Sequence, residues 1–487
     1  MSGVASTVLA TRLPSTGTLV VGAVVALLLV AALVAAMRRH REVLPLAAVF
    51  ALPFRLPIST GGRTVNLLIP LYLVIAAGTL TYLLPRLLRK GPAREEPAPA
   101  REREALSLRS PSSWASPRGV EALLLGAILL YALQTLYSGD RGKGAENLAF
   151  FYVPFALLFW LLRDVRWTQE LLARCLGVAV ALAVLFAGVG FVEYYRKSLF
   201  LNPKIVAAND YDNYFRVNSV FFDPSIYGRF LALVMIALMA VVLTRGVAAA
   251  GGARRREMIA GGAVLVWLLA GLVTSFSQSS IAALVLGLAV LGAWCWGVRR
   301  VVYASVTVLV VAGLIVALSP ASLHLGLKGS GGSANNATNG RGNLVSGGLE
   351  LFAKRPLEGY GSGSFETEYK RNSKSDAENA VSASHTIPVT IAAEQGILGL
   401  ALYVALLAAA FLVLFRGAGR SPPRIAIAAC FTALVLHTWT YADFLEDPTT
   451  WLLLAIGIAL ARTEPARAGD PSPRETVLGA GAPASSF

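Results

Sequence analysis

Charge is what this chain most lacks. Of its 487 residues only 15% are Asp, Glu, Lys or Arg, against about a quarter in soluble globular chains. Cysteine is nearly absent as well. Cys175, Cys295 and Cys430 are an odd, scattered set, each inside an apolar run, which leaves neither a disulfide framework nor a metal-ligand spacing. Histidine occurs four times. Nucleotide signatures are missing: no Walker A loop, and no G-x-G-x-x-G after a strand. These absences remove nucleotide-driven chemistry and give no support for a metal cofactor. The energy of any reaction must then arrive with the substrate.

What the chain has in quantity is apolar sequence, 55% of all residues. It is grouped into runs of about 18 to 25 residues, the length that crosses the hydrocarbon of a bilayer. An all-α polytopic membrane protein of about 12–13 transmembrane helices is expected. The net charge of +15 does not indicate a nucleic-acid groove. Its basic residues gather in short connections, at Arg38, Arg39 and Arg41, at Arg86, Arg89 and Lys90, at Arg254–Arg256, at Arg299 and Arg300, and at Arg416, Arg420 and Arg424. That is the asymmetry by which cytoplasmic loops set topology.

Taken in order, residues 1–84 hold N-terminal transmembrane helices: Gly17–Met37, Val65–Leu84, and between them Val43–Ile58. That middle stretch is interrupted by Pro53 and Arg55 and reads as either a span or a re-entrant piece. The RRHR cluster follows the first run rather than preceding it, so the run reads as a retained helix with its N-terminus outside, not as a signal peptide. Residues 85–118 are rich in Pro, Arg and Glu, bury too little to order themselves, and read as a flexible cytoplasmic loop. Central helices follow over 119–318, with an outside loop at 195–224. A large extracytoplasmic loop is expected at 319–386, C-terminal helices at 387–461, and a disordered cytoplasmic tail at 462–487.

The polar residues with chemical potential gather in the two outside loops. Gly340–Gly399 is the longest polar interruption between hydrophobic spans. Leu344, Leu351 and Phe352 have helical spacing there; Pro356 ends that helix, and GYGSGSF supplies glycines for a close backbone approach. Arg341 opens the stretch. His385 stands just before the next apolar run, where an imidazole can exchange a proton near neutral pH or simply anchor a helix end. Glu394 lies inside that run, where a carboxylate is costly and marks a partner or a wet cavity. Helical steps turn it about 180° from His385, so it reads as support for the fold. The earlier loop offers Arg216 in FRVNSVFFDPSIYGRF and, one turn into the next helix, Arg229. Arg229 is deeper than snorkelling explains, which calls for a buried anionic partner. Asp443, Glu446 and Asp447, near the last span, could bind a cation, but the flanking Pro and Thr favour a simple turn.

Four motifs in order carry a family resemblance: Arg216–Pro224 (RVNSVFFDP), Thr274–Ser279 (TSFSQS), Gly340–Gly361 (GR through PLEGYG), and His385 through Glu394-Gln-Gly396-Ile-Leu-Gly399. Over roughly residues 120–461 the chain resembles the O-antigen ligase/polymerase superfamily of bacterial integral-membrane glycosyltransferases. The resemblance implies a GT-C-like fold in the bacterial cytoplasmic membrane, with the active site on the extracytoplasmic side. It implies metal-independent transfer of a glycan from an undecaprenyl-diphosphate carrier to an acceptor hydroxyl on a glycan, lipid or protein, with membrane lipids and no nucleic acid as the other partners. His385, Arg341 and Arg216 are then the catalytic candidates. Arg229, Asn218, Asp223, Gln278 and Tyr360 are candidate diphosphate or glycan contacts, and Glu394 is structural support. One position departs from the pattern: where many members carry Arg, this chain has Gln278. A polymerase of the same superfamily and a transporter of lipid-linked oligosaccharide or small anions are the alternative readings.

Overall fold

The computed structural model describes residues 16–60, 63–88, 113–200, 215–248, 252–307, 341–372, 384 and 386–463. Most of the 85–118 loop, the middle of the 195–224 loop, the opening of the 319–386 loop and the tail past residue 463 lie outside the described residues.

Helices dominate because the apolar runs leave the backbone no water to bond with inside a bilayer, and a helix satisfies its N–H and C=O groups internally. In chain order they are α1 (Thr16–Arg39), α2 (Val43–Ala51), α3 (Ile69–Leu88), α4 (Pro117–Thr135), α5 (Arg141–Leu162), α6 (Gln169–Arg196), α7 (Pro224–Ala248), α8 (Gly252–Thr274), α9 (Gln278–Trp296), α10 (Arg341–Lys354), α11 (Phe365–Asn372), α12 (Ile387–Phe415), α13 (Pro422–Thr440) and α14 (Pro448–Thr463). Nine helices among the described residues are long and apolar enough to cross a membrane. Side-chain caps set several starts: Ser116, Asp140 and Thr168 accept the N–H of Gly119, Lys143 and Leu171 respectively, satisfying donors that the helix itself cannot.

The stretch Val43–Ile58 does not form one span. Its helix, α2, has nine residues, about 14 Å, and stops ahead of Pro53. The chain then enters an antiparallel hairpin, β1 (Leu56–Thr60) with β2 (Arg63–Leu67), whose register pairs Ile58 with Val65.

At the centre α7, α9 and α13 pack on one another, burying Tyr227, Leu231, Leu284, Leu291, Phe431 and Leu434. Around them α8 lies against α7 and α6, α4 and α10 against α12, and α14 against α5 and α13. The outer surface is apolar: α1 exposes Leu27 and Leu28 at 69% and 65%, the inverse of a water-soluble fold and the pattern of a lipid-facing one.

The two ends of the bundle differ. Arg86 pairs with Asp164 at 2.7 Å, Arg163 with Glu121 at 2.5 Å, and Arg462 with Glu121. These ion pairs gather the ends of α3, α5 and α14 and the start of α4. The opposite ends, where α4 finishes and α5 and α14 begin, carry the candidate site.

Candidate active site

The site is built from two hydrogen-bonded blocks. In the first, the segment before α7 is fastened to the turn before α9. Val217 donates its N–H to the Thr274 carbonyl at 3.1 Å, and the Arg216 Nε donates to the Ser275 carbonyl at 3.5 Å. Two of the sequence motifs are thereby brought together. Asn218 is fully buried and donates its side-chain amide to the Phe221 carbonyl at 2.6 Å, a turn-forming role. Asp223 accepts the Ser225 N–H at 2.6 Å at the start of α7 and is hydrogen bonded to Tyr441. Gln278 is exposed as the first residue of α9, behind the capping Ser277. Below it Ser279 and Ser280 lie 3.3 and 3.2 Å from the Nε2 of the buried His437.

In the second block the glycine-rich segment after α10 is wedged against a break in α12. Gly396 interrupts α12 with φ 64. A side chain there would place its Cβ 2.2 Å from the Leu357 carbonyl oxygen, so two backbones touch where only glycine fits. Ile397 N–H donates to the Pro356 carbonyl at 2.7 Å, and Gly361 N–H to the Glu394 carbonyl at 2.8 Å. The buried Glu394 carboxylate accepts the N–H of Gly363 at 2.9 Å and of Phe365 at 3.0 Å, tying α12 to the start of α11. Tyr360 packs beside Leu344, Leu351 and Phe365, with the Arg355 guanidinium 4.6 Å from its ring. Arg341 is the first residue of α10. His385 lies outside the described residues. Its neighbour Ser384 is buried and bound to Thr390, donating its N–H to the Thr390 Oγ1 at 3.0 Å.

Residues 441–447, between α13 and α14, bridge the blocks. Arg229 of the first block pairs with Asp447 at 2.5 Å, both side chains buried, so the anionic partner of that deep arginine belongs to the chain itself. Asp447 uses its other oxygen to accept the Thr449 N–H at 2.7 Å at the start of α14. Glu446 reaches the second block: Asn147 of α5 donates to its Oε1 at 2.9 Å and to the Tyr131 hydroxyl at 2.9 Å. Glu446 also lines a cavity of about 60 Å³ with Tyr131, Tyr152, Thr390, Glu394 and Gln395.

The electrostatics of the bridge are unusual. Burial, reinforced by the neighbouring Asp443 charge, pushes the Glu446 carboxyl up to about 8 against the pull of Lys143. Asp443 is raised by burial although Arg229 and Arg55 oppose the shift, and Tyr441 is raised by burial and by Asp223. Low-dielectric surroundings favour the neutral form of each acid. Among the described residues no three His, Cys, Asp or Glu side chains are arranged to hold a metal ion.

The sequence alone gives no site role to Tyr131, Tyr152, Asn147, Arg55 or Lys143, and it favours a simple turn over a cation site for Asp443, Glu446 and Asp447. A signal did exist, since three carboxylates in five residues beside a membrane helix require partners. Those partners, however, are remote in sequence, 299 residues away for Asn147 and Glu446.

No curated protein matches the chain. The stretch from residue 263 to residue 404, which includes α9, α10, α11 and the broken start of α12, matches the family model described as O-Antigen ligase. Over that stretch the chain is similar to the O-antigen ligase family, and among the described residues it carries nine helices long and apolar enough to cross a membrane.

Proposed function

We propose that this protein transfers a glycan from an undecaprenyl-diphosphate carrier to an acceptor hydroxyl at the outer face of the cytoplasmic membrane. The observation that carries the reading is the docking of the Arg216 segment, through Val217 N–H on the Thr274 carbonyl, onto the part of the chain that matches the O-antigen ligase family. A fixed guanidinium is thus held beside the matched domain, where a diphosphate leaving group needs positive charge.

In this reading the acceptor oxygen attacks the anomeric carbon in line. The bond from that carbon to the diphosphate oxygen breaks, and the acceptor proton passes to His385. Arg216 and Arg341 stabilise the charge that builds on the departing diphosphate. Such fixed donors act most strongly where water is excluded, and a guanidinium matches two phosphate oxygens at once. Inversion at the anomeric carbon follows from a single in-line step.

Purified protein incubated with a defined polyprenyl-diphosphate glycan is expected to release the polyprenyl diphosphate and form a product with an inverted linkage. A second lipid-linked glycan serving as acceptor identifies a polymerase, and a core lipid serving as acceptor identifies a ligase. Movement of intact donor across a vesicle membrane without bond cleavage identifies a transporter and overturns the proposal. Full activity in a normally inserted His385→Ala protein removes the general-base assignment alone.

A further inference from the structure

Glu193 lies in the last turn of α6 with its side chain fully buried. Among the described residues its partners are backbone N–H groups rather than a cation. Oε2 accepts the Ser219 N–H at 2.7 Å, Oε1 accepts the Phe200 N–H at 3.2 Å, and the Asn218 N–H is also directed at the carboxylate. A carboxylate inside a membrane protein is costly and marks a function. This one acts on the segment that carries Arg216.

That segment is held from two sides. On one side Arg216 and Val217 bond to the carbonyls of Ser275 and Thr274. On the other, Ser219 is held to α6 twice, by its N–H on Glu193 and by its hydroxyl on the Phe186 carbonyl at 2.7 Å. Ser219 has φ 52, a left-handed conformation that a serine adopts only when its surroundings impose it. The carboxylate of Glu193 supplies that imposition, because it gathers the N–H groups of consecutive residues onto one point. The second block repeats the device, with Glu394 gathering the N–H groups of Gly363 and Phe365.

We infer that Glu193 is a positioning residue for Arg216: it fixes the left-handed turn at Ser219 and so sets where the guanidinium meets the diphosphate of the donor. The inference rests on the diphosphate-binding role given to Arg216 above. Displacement of a binding group by about 1 Å costs up to about a hundredfold in rate.

The test is a cycle of Glu193→Gln, Arg216→Ala and the double variant, assayed with the polyprenyl-diphosphate glycan, beside deuterium uptake of residues 216–221 in Glu193→Ala. Glu193→Gln is expected to lower kcat/KM about tenfold to a hundredfold. In the Arg216→Ala background the same change is expected to cost less than about twofold, because a positioning residue has nothing left to position. Glu193→Asp, which keeps the charge with a shorter reach, is expected to recover part of the loss and replaces Glu193→Gln in the cycle if that variant fails to insert. Multiplying losses in the double variant, or unchanged deuterium uptake at 216–221, overturns the inference. If the wild-type protein does not turn over the donor, the reading of the reaction fails, and the uptake measurement alone then decides whether Glu193 holds the segment.

Discussion

Arg229 and Asp447 form a buried ion pair at 2.5 Å that joins the start of α7 to the start of α14. Both side chains are at most 4% exposed, so neither charge has water to fall back on if its partner is removed. Breaking a buried pair by deleting one member costs about 3–5 kcal/mol, whereas replacing both members by apolar groups of similar volume is close to neutral. Asp447→Ala or Arg229→Ala is therefore expected to lower the thermal midpoint of the purified protein sharply. The double variant Arg229→Met/Asp447→Leu is expected to recover most of that loss. A double variant as unstable as the sum of the singles would show that the pair acts through something other than mutual compensation.

The break in α12 makes a second, independent demand. At Gly396 the backbone, φ 64 and ψ -160, lies in a region open essentially to glycine alone and costs an L-residue about 1–3 kcal/mol by itself, and a Cβ would also lie 2.2 Å from the Leu357 oxygen. Gly396→Ala is expected to yield little folded protein. Gly177→Ala, in α6 where the added methyl meets nothing within 4 Å beyond its own stretch of helix backbone, is expected to be neutral or stabilising by about 1 kcal/mol. Comparing the two by thermal unfolding in the same detergent separates the cost of this junction from the general effect of losing a glycine.

Most of the helical layout was legible because a bilayer permits few alternatives. A run such as Leu171–Tyr194 must be a helix of about membrane length, and it lies within α6 (Gln169–Arg196). Pro53 likewise flagged the failure of Val43–Ile58 to continue as one span. What the sequence hid is who meets whom. Glu394 read as a carboxylate in need of a partner, but not as one that takes two backbone N–H groups from the start of α11. Glu193 carries no local mark of its role in the sequence, since the segment it holds lies 26 residues on. Local periodicity reports which face of an element is apolar, and it carries no information about long-range pairing between polar groups.

The raised carboxyl of Glu446 gives a pH signature. Its pKa moves from the ordinary 4.5 to about 8, through burial first and the Asp443 charge second. Over that interval the folded chain keeps a proton that the unfolded chain releases. The stability contributed by this group is therefore intact at the acid end and lost as the pH climbs to about 8. Glu446→Gln is expected to flatten that decline, so that the variant gains on the wild type as the pH rises. Some slope should persist, because Asp443 is raised as well. Thermal midpoints of the two proteins across this range check the sign, and a variant midpoint that falls relative to the wild type with rising pH would refute it.

The proposed roles of the two arginines make a prediction that charge alone does not. Lysine preserves the positive charge at positions 216 and 341 but presents a single ammonium, where guanidinium offers paired donors in a fixed plane that matches two phosphate oxygens. For Arg216 the Nε bond to the Ser275 carbonyl also fixes the approach of that plane. Arg216→Lys and Arg341→Lys are each expected to insert normally and to lose at least about tenfold in turnover of the polyprenyl-diphosphate glycan, the order expected when a charge-assisted bidentate contact is reduced to a single one. Rates near wild type for both lysine variants, with loss only in the alanine variants, would mean that these positions supply positive potential rather than oriented hydrogen bonds. The geometry of the Arg216 segment would then matter far less than its charge.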